Sequence, residues 1–301
     1  LLDGKTLLEW ANTEAMKPYD YYLREIERNK PHVLSDAEER LLALSGEIAD
    51  SYDTIYTMLA DVDMEFEKVI NDKGDKLEMS HGRYGLFLED KNRDVRKQAY
   101  ESMYSAFKKQ INTVASLYSS SVKMDIFYSR ARRFSDSRAA SLFGSDVPVA
   151  VYDNLVNTVN ENLPVLHRHV ALRKKVLGLD DMKMYDMYVP MFEAKEPSYT
   201  FEQGKQLVKE ALAHLGEEYL AALDEAFNNG WIDVYENKGK TTGAYAWGVY
   251  DTHPYILLNY QGRLDDVFTL AHEGGHALHS YFSNKAQPYS KAGYKIFVAE
   301  V

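Results

Sequence analysis

The sequence predicts a mainly α-helical protein that carries a small β-sheet directly before one motif-bearing helix. Helical periodicity covers most of the 301 residues, and only two segments show the alternating pattern of strands. The chain contains 45% hydrophobic and 27% charged residues, proportions that are typical of globular proteins. A chain of this length can bury a sizeable core.

Two helix starts are marked by capping boxes, at Ser35–Glu38 and Thr200–Gln203. In this motif a hydroxyl group and the side chain three residues later satisfy backbone N–H groups that have no partner within the helix. From about residue 92 to 134, apolar residues recur at steps of three to five without a proline, which predicts one very long helix or two in line. Further helices are predicted at about 148–163, 164–177, 201–214 and 217–228.

The two strand-like segments lie at 66–79 and 231–260. The first alternates apolar and polar residues around Asp72-Lys73-Gly74-Asp75, which predicts a β-hairpin with a glycine turn. The second contains three short aromatic or β-branched runs between glycine-rich loops, which predicts a small sheet. We expect the hairpin to separate an N-terminal helical domain (1–70) from a larger domain (71–301).

Composition excludes several classes of function. The absence of cysteine removes disulfides, thiolate ligands and cysteine nucleophiles, and it suits a reducing compartment, so a cytoplasmic location is expected. A net charge of −11 opposes binding to nucleic acid or anionic lipid, and no apolar run approaches the roughly 20 residues that span a bilayer. We therefore expect neither a nucleic-acid partner nor a membrane partner.

Neither end of the sequence has the features of a natural terminus. The chain starts without Met or a signal peptide, and residues 296–301 resemble the middle of an apolar element rather than its end. The expectation is a fragment that lacks both ends of a longer protein.

The motif His272-Glu273-Gly274-Gly275-His276 lies on a predicted helix that begins after Gly262. Two histidines four residues apart lie about 40° apart around a helix axis and about 6 Å apart along it, so both imidazoles can reach one ion. Glu273 projects to the flank, where it can reach a water bound to that ion and act as a general base. Zinc at such a site lowers the pKa of bound water towards ~7 and polarises a scissile carbonyl.

Gly274 and Gly275 are unusual inside a helix, where each glycine costs about 1 kcal/mol relative to alanine. We expect a close approach of substrate or of a second backbone to this face.

Two residues compete for the place of third metal ligand. His279 is seven residues from His272, roughly 10 Å along the axis, so one zinc with ~2.1 Å bonds cannot hold both of them together with His276. Glu300 lies 24 residues after His276, at a separation expected for a second element that packs back on the first. A carboxylate in an apolar run needs a partner if it is buried, and a divalent cation is one. We therefore predict one Zn²⁺ per chain on His272, His276 and Glu300, with cobalt and manganese left open.

The motif and its surroundings resemble the thimet-oligopeptidase-like zinc metallopeptidase family, and within it the oligoendopeptidase F group. The family pattern is H-E-x-G-H-x-x-H with a downstream Glu ligand, and the present chain has His272 through His279 followed by Phe297-Val298-Ala299-Glu300. Segments outside the motif also look like that group, so the resemblance covers nearly the whole chain; they are His81-Gly82-Arg83-Tyr84, 139–149, Tyr152-Asp153-Asn154-Leu155, 160–164 and 255–260.

The resemblance implies a helical molecule with a deep channel that admits short unfolded peptides, zinc on His272, His276 and Glu300, and Glu273 as base. It makes 71–301 a catalytic metallopeptidase domain. Two departures stand out. Family members usually carry a bulky apolar residue in place of Gly274, and they continue past the Glu ligand into a segment whose His and Tyr residues stabilise the oxyanion. We therefore expect incomplete transition-state stabilisation in this chain.

The substrate side is less determined by sequence. We expect the run 255–260 to be an edge strand that pairs with the backbone of a peptide substrate, although plain sheet core remains an alternative. The loop 239–245 is expected either to close over a peptide or to be an ordinary surface loop.

Three functions stay open at this stage. The first is a zinc endopeptidase acting on short oligopeptides. It is favoured over aminopeptidase action because Gly243-Ala244 is not followed by the Glu and Asn that hold a free amino terminus. The second is a zinc exopeptidase such as a dipeptidyl carboxypeptidase, which needs a cationic group near the zinc. The third is a non-catalytic peptide-binding scaffold.

Overall fold

The computed structural model describes residues 3–192 and 198–300, and these residues are mainly helical, as the sequence predicts. The first part contains helices α1 (Gly4–Ala11), α2 (Asp20–Asn29), α3 (Asp36–Ala49) and α4 (Ser51–Thr57), with 3₁₀ turns at Glu14–Tyr19 and Lys30–His32 and a π-helical turn at Met58–Asp63. The predicted capping box at the start of α3 is present, because the Glu38 carboxylate accepts a hydrogen bond of 2.9 Å from the backbone N–H of Ser35.

The predicted hairpin is confirmed. Strands β1 (Val69–Ile70) and β2 (Lys76–Leu77) pair antiparallel, with Val69 opposite Leu77. Gly74 in the turn has a φ of 84°, a conformation that glycine adopts without the steric cost of a side chain. Val69 is fully buried against residues of the next two helices, α5 (His81–Leu88) and α6 (Arg93–Lys109). The hairpin therefore packs with the chain that follows it.

The long helical stretch is two consecutive helices, α6 and α7 (Ile111–Ala131), which meet at Gln110. After α8 (Ser137–Gly144), the structure has a single helix, α9 (Val149–Val176), where the sequence predicts two. The predicted break at Pro164 is wrong. A proline removes one backbone hydrogen bond, but the turns on either side of it contain no glycine or second proline and keep their own bonds.

A buried ion network joins α6 to α9 through the 3₁₀ turn Met184–Asp186. Asp186 is fully buried and accepts hydrogen bonds from Arg93 (2.9 and 3.1 Å) and Arg96 (2.8 Å). Arg173 of α9 donates to the backbone oxygens of Asp186 and Val189. Burial alone raises the pKa of Asp186, but the hydrogen bonds from the two arginines outweigh it and lower that pKa to about 2.

The last part of the chain forms the main core. Helices α10 (Phe201–Ala211) and α11 (Glu217–Asn228) precede strands β3 (Ile232–Asp233), β4 (Tyr245–Trp247) and β5 (Tyr255–Leu257), and α12 (Leu264–Ala286) follows them. The predicted capping box opens α10, with Thr200 Oγ1 accepting from the N–H of Gln203 at 3.2 Å. Leu223, Leu258, Leu270 and Leu278 are almost completely buried between α11, the sheet and α12. This core fixes α12 against the sheet.

The strand order is β3-β5-β4, with β3 parallel and β4 antiparallel to β5. The expectation that 255–260 forms an edge strand is therefore wrong, since β5 lies in the middle of the three-stranded sheet. Ile256 is buried in the main core, which gives the apolar character of this run a structural cause. Among the residues that the structure describes, β4 is the strand beside α12 that leaves one edge unpaired.

Two short helices, α13 (Tyr289–Ala292) and α14 (Ile296–Ala299), end the described chain, and Val301 lies outside the described residues. α13 also contacts the start of the chain, because Lys291 Nζ lies 2.7 Å from Asp20 Oδ1 and Ser290 donates to the backbone oxygen of Pro18. Among residues 3–192 and 198–300, no helix combines the length and the apolar character that crossing a bilayer requires.

Candidate metal centre

The three predicted metal ligands come together at one point on α12. His272 Nε2 and His276 Nε2 lie 3.0 Å apart on successive turns of the helix. Glu300, which follows α14 as its C-terminal cap, places Oε2 3.7 Å from His272 Nε2 and Oε1 3.6 Å from His276 Nε2. Within residues 3–192 and 198–300, this is the one group of three or more such side chains whose ligand atoms converge.

The donor set and the spacing of its atoms fit a zinc ion. Two atoms bound ~2.1 Å from one ion at a tetrahedral angle lie roughly 3.4 Å apart. The three observed separations, 3.0, 3.6 and 3.7 Å, are distributed around that value. Two imidazoles and one carboxylate match a common protein ligand set for catalytic zinc, which leaves further coordination positions open.

The three side chains differ in exposure. His276 is 17% exposed, whereas His272 and Glu300 are 56% and 53% exposed. One argument for Glu300 as a ligand assumes that its carboxylate is buried in an apolar run. That assumption is wrong, because more than half of the side chain is exposed. Ile296 and Val298 around it are exposed as well, so the short helix α14 presents its surface to solvent. The support for Glu300 as a ligand is its convergence with the histidines.

Glu273 lies on the same helix but does not belong to the converging group. Its side chain is buried, at 6% exposure, and its Oε2 has no hydrogen-bond partner among the described residues. Burial raises the pKa of Glu273, while the neighbouring His276 and His272 lower it. A desolvated carboxylate that has no partner among the described residues, next to three candidate metal ligands, is a good acceptor for a proton.

The two glycines of the motif have different surroundings. Gly274 is buried, and a Cβ placed there would lie 3.5 Å from Leu223 Cδ1, which is an ordinary contact. A Cβ on Gly275 would meet nothing within 4 Å. The expected close approach of a second backbone is thus not found among the described residues. A close approach of backbone to α12 occurs instead at Gly248, where a Cβ would collide with the side chain of Ser280.

His279 points to a different partner. Its ring stacks on Tyr294 with centroids 3.8 Å apart and planes 8° apart. The Tyr294 hydroxyl lies 2.7 Å from Ser280 Oγ and donates a 3.3 Å hydrogen bond to the backbone oxygen of His276. His279 is therefore a packing residue next to the site, as its distance along the helix indicates. Neither Tyr294 nor Ser280 belongs to a recognisable sequence motif, so the sequence alone does not predict their place beside the site.

The glycine-containing loop before β4 borders two open clefts. A cleft of about 340 Å³ lies between this loop, α5 and the first turns of α12, where it reaches Thr269, three residues before His272. A larger one of about 740 Å³ lies between the loop and the segment 60–83. Thr242 in the loop donates to Asp61 Oδ1 at 3.2 Å, which connects the loop to the first part of the chain. Peptide-sized space thus adjoins the motif helix.

The other conspicuous histidines take part in packing or are exposed. His253 stacks on Trp231 with planes 8° apart and also contacts Tyr255. His167 and His169 are exposed on α9. None of them joins the group formed by His272, His276 and Glu300.

Comparison with protein families gives two matches. Peptidase family M3 matches residues 86–301, and a family described as oligopeptidase F matches residues 1–66. The two matches lie on either side of the β1–β2 hairpin and together cover most of the chain.

Comparison with individual proteins agrees with these matches. Oligopeptidase PepF of Bacillus subtilis is 44% identical over 96% of this chain and 43% of its own length. Chromosomal oligoendopeptidase F of Lactococcus lactis subsp. cremoris is 40% identical over 100% of the chain and 50% of its own length. The chain thus spans about half the length of these curated relatives.

Solved structures show the same fold. Oligoendopeptidase F from Enterococcus faecium is 32% identical and superposes with a TM-score of 0.65 over 94% of this chain and 46% of its own. PZ peptidase A has only 16% identity but a TM-score of 0.76 over 99% of this chain and 53% of its own. At that identity the likeness concerns the fold alone.

Proposed function

Because this chain belongs to peptidase family M3, we propose that it carries the zinc site and the general base of an endopeptidase that hydrolyses short, unfolded oligopeptides. One observation carries the proposal: three potential ligands, His272, His276 and Glu300, converge beside the buried carboxylate of Glu273. The names of the relatives, oligopeptidase and oligoendopeptidase, support the substrate class.

In this proposal His272 and His276 hold one Zn²⁺ through Nε2, and Glu300 holds it through a carboxylate oxygen. When bound, the ion supplies Lewis acidity, which lowers the pKa of a coordinated water towards ~7 and polarises the scissile carbonyl. To hold the ion through Nε2, each histidine would carry its ring proton on Nδ1.

Glu273 acts as the general base. Its raised pKa makes its carboxylate a stronger proton acceptor than an exposed glutamate, and within the described part of the chain no hydrogen bond competes for its Oε2. Glu273 takes the proton of the attacking water and passes it to the nitrogen of the leaving amine. The carboxylate is thereby restored after each cycle.

The free edge of β4 is proposed to hold the substrate backbone. β4 packs along α12, where Gly248 lies against Ser280, one helical turn after His276. Pairing of a peptide with an edge strand uses backbone groups and is largely indifferent to side chains, so broad sequence specificity follows. This assignment replaces the run 255–260, which lies in the middle of the sheet.

Two further assignments concern the domain boundary and the location of the protein. The boundary between an N-terminal helical domain and the catalytic domain is placed near residue 70, and the packing of Val69 with α5 and α6 supports assigning the hairpin to the catalytic side. The lack of cysteine supports a cytoplasmic location.

The metal site is tested by zinc analysis of the 301-residue chain. We expect one zinc per chain in the parent protein, and loss of that zinc in His272→Ala and His276→Ala. His253→Ala is the matched control and should retain it, since His253 stacks on Trp231 away from the ligand group. A parent chain without zinc, or one whose zinc survives removal of His276, contradicts the site.

The mechanism is tested by Glu273→Gln with an internally quenched peptide that is blocked at both ends. Glutamine keeps the shape of the side chain but cannot take a proton, so cleavage should fall by at least about 100-fold while zinc is retained. Blocked ends separate endopeptidase from exopeptidase action, because an exopeptidase needs a free terminus. Unchanged cleavage in Glu273→Gln relative to the zinc-loaded parent contradicts the proposed mechanism.

A further inference from the structure

Glu300 is not held in place by its own element. α14 has only four residues, Ile296 and Val298 are 65% and 60% exposed, and Phe297 lines an open apolar groove beside α8 and α9. Burial of apolar surface therefore contributes little to the position of α14. Other contacts must keep the Glu300 carboxylate within reach of the histidines.

The chain that leads to α14 is attached to α12 at one aromatic residue. Tyr294 lies between α13 and α14, and its ring stacks flat on His279. Its hydroxyl reaches the buried Ser280 and the backbone oxygen of His276. The Tyr294 hydroxyl has a single proton, which it donates to His276, so Ser280 donates to Tyr294. One side chain thus contacts three residues of the helix that carries both histidine ligands.

Neighbouring residues confine the remaining freedom of this segment. Ser283 donates a 2.6 Å hydrogen bond to the backbone oxygen of Ala292, which holds α13 on α12. Lys295, directly after Tyr294, donates from Nζ to the backbone oxygen of Gly144 at 2.7 Å. Tyr294 is the last of these anchors that bonds to α12 itself before the chain reaches Glu300.

We propose that Tyr294 is the positioning residue for Glu300, and that it sets the distance of the carboxylate from the histidine pair through its hydroxyl bonds to His276 and Ser280 and its stack on His279. The inference rests on the proposed zinc site. Tyr294 does not touch the ion or the substrate, and its effect passes through Glu300. Such pre-organisation raises the affinity for the metal, because the third ligand does not have to be ordered when the ion binds.

The prediction concerns zinc affinity, measured on the 301-residue chain by competition with a chromophoric chelator. Tyr294→Phe keeps the ring stack and removes only the hydroxyl, and it should raise the zinc dissociation constant about 10-fold. Tyr289→Phe is the matched control. Tyr289 lies on α13, is 77% exposed and packs its ring on Tyr250, so its hydroxyl should not matter.

A double-mutant cycle distinguishes positioning from a general effect on the helix. If Tyr294 acts through Glu300, Tyr294→Phe should not weaken zinc binding further in a Glu300→Ala background. Equal weakening in both backgrounds means that Tyr294 acts through the His276 carbonyl instead, and it overturns the proposal. A dissociation constant in Tyr294→Phe within about twofold of the parent value overturns it too.

Ser280→Ala provides an independent variant in case Tyr294→Phe does not fold. It removes one of the two hydroxyl bonds, so we expect a rise of about threefold in the zinc dissociation constant, which should again disappear in the Glu300→Ala background. If that rise is absent, or persists without Glu300, the proposal fails. A parent chain that binds no zinc is a different result, because it refutes the proposed site itself and this inference with it.

Discussion

The carboxylate of Asp186 is completely buried, and its Oδ1 accepts a 2.8 Å hydrogen bond from Nη2 of Arg96, whose side chain is only 4% exposed. Arg93 binds the same carboxylate from the solvent side. A buried ion pair adds little net stability compared with apolar side chains, but removing one partner leaves the other charge buried without compensation. The network therefore makes the junction of α6 and α9 sensitive to single substitutions.

Asp186→Ala should lower the free energy of unfolding by about 3–5 kcal/mol, because the guanidinium of Arg96 loses its counter-charge. Urea denaturation followed by circular dichroism measures this. Asp181→Ala is the control, since Asp181 pairs with Lys183 at the surface with 68% of its side chain exposed, and it should leave the free energy of unfolding nearly unchanged. Similar losses in the two variants would show that Asp186 is not a structural ion-pair centre.

A second ion pair should make stability depend on pH in the acid range. Both Nη atoms of Arg132 bind the carboxylate of Glu39, at 2.8 and 2.9 Å, and hydrogen bonding from Arg132 lowers the pKa of Glu39 from 4.5 to about 2. A carboxylate with a lowered pKa in the folded state stabilises fully above its unfolded pKa, and this contribution disappears as pH falls through the folded value.

The difference in unfolding free energy between the parent chain and Glu39→Gln should therefore be constant above about pH 4.5 and shrink between about pH 4.5 and pH 2. Urea titrations at neutral pH, at about pH 3 and at about pH 2 test this trend. A difference that stays the same at all three values would mean that the Glu39 carboxylate gains nothing from Arg132.

The proposal that Glu300, and not His279, is the third ligand is tested by comparing the zinc affinities of variants at the two positions. Glu300→Ala should raise the zinc dissociation constant by more than about 100-fold, since loss of a ligand costs more than loss of a residue that supports one. His279→Phe, which preserves a ring to stack on Tyr294, should still bind one zinc per chain with an affinity within about tenfold of the parent. If chelator competition shows that His279→Phe weakens zinc binding more than Glu300→Ala does, His279 is the ligand.

Local features of this protein could be predicted from sequence and long-range ones could not. Capping boxes, the Gly74 hairpin and the spacing of His272 and His276 are properties of neighbouring residues, so their geometry follows from the helix or the turn alone. The run 255–260, which contains Ile256, is predicted as an edge strand but lies in the middle of the sheet. An apolar strand pattern does not show which strands pair with it.

The same limit applies around the metal centre. The convergence of Glu300 with the histidines was predicted from its separation in sequence, whereas its exposure was not, because the apolar residues around it face solvent. The role of Tyr294 could not be predicted from sequence. The chain has 23 tyrosines, and only the contacts of Tyr294 in the fold distinguish it from the others.

The backbone of Ala246 offers a specific test of the free edge of β4. The N–H groups of Ile256 and Leu258 donate to Trp231 and Asp233, so these residues direct their backbone groups towards β3. Backbone groups alternate between the two sides of a strand, and Tyr255 and Leu257 therefore direct theirs towards β4, opposite Trp247 and Tyr245. It follows that Ala246, opposite Ile256, directs its N–H and C=O away from β5, to the free edge.

Ala246→Pro removes the one N–H that this stretch of edge offers, and a proline at such a position leaves the pairing with β5 intact. If the edge binds the substrate backbone, KM for the end-blocked peptide should rise at least about tenfold while zinc content is unchanged. Ala246→Ser, which keeps the N–H, should match the parent within about twofold. Cleavage by Ala246→Pro with the parent KM would show that peptides bind elsewhere, because a substrate paired to β4 cannot be indifferent to the loss of its central donor.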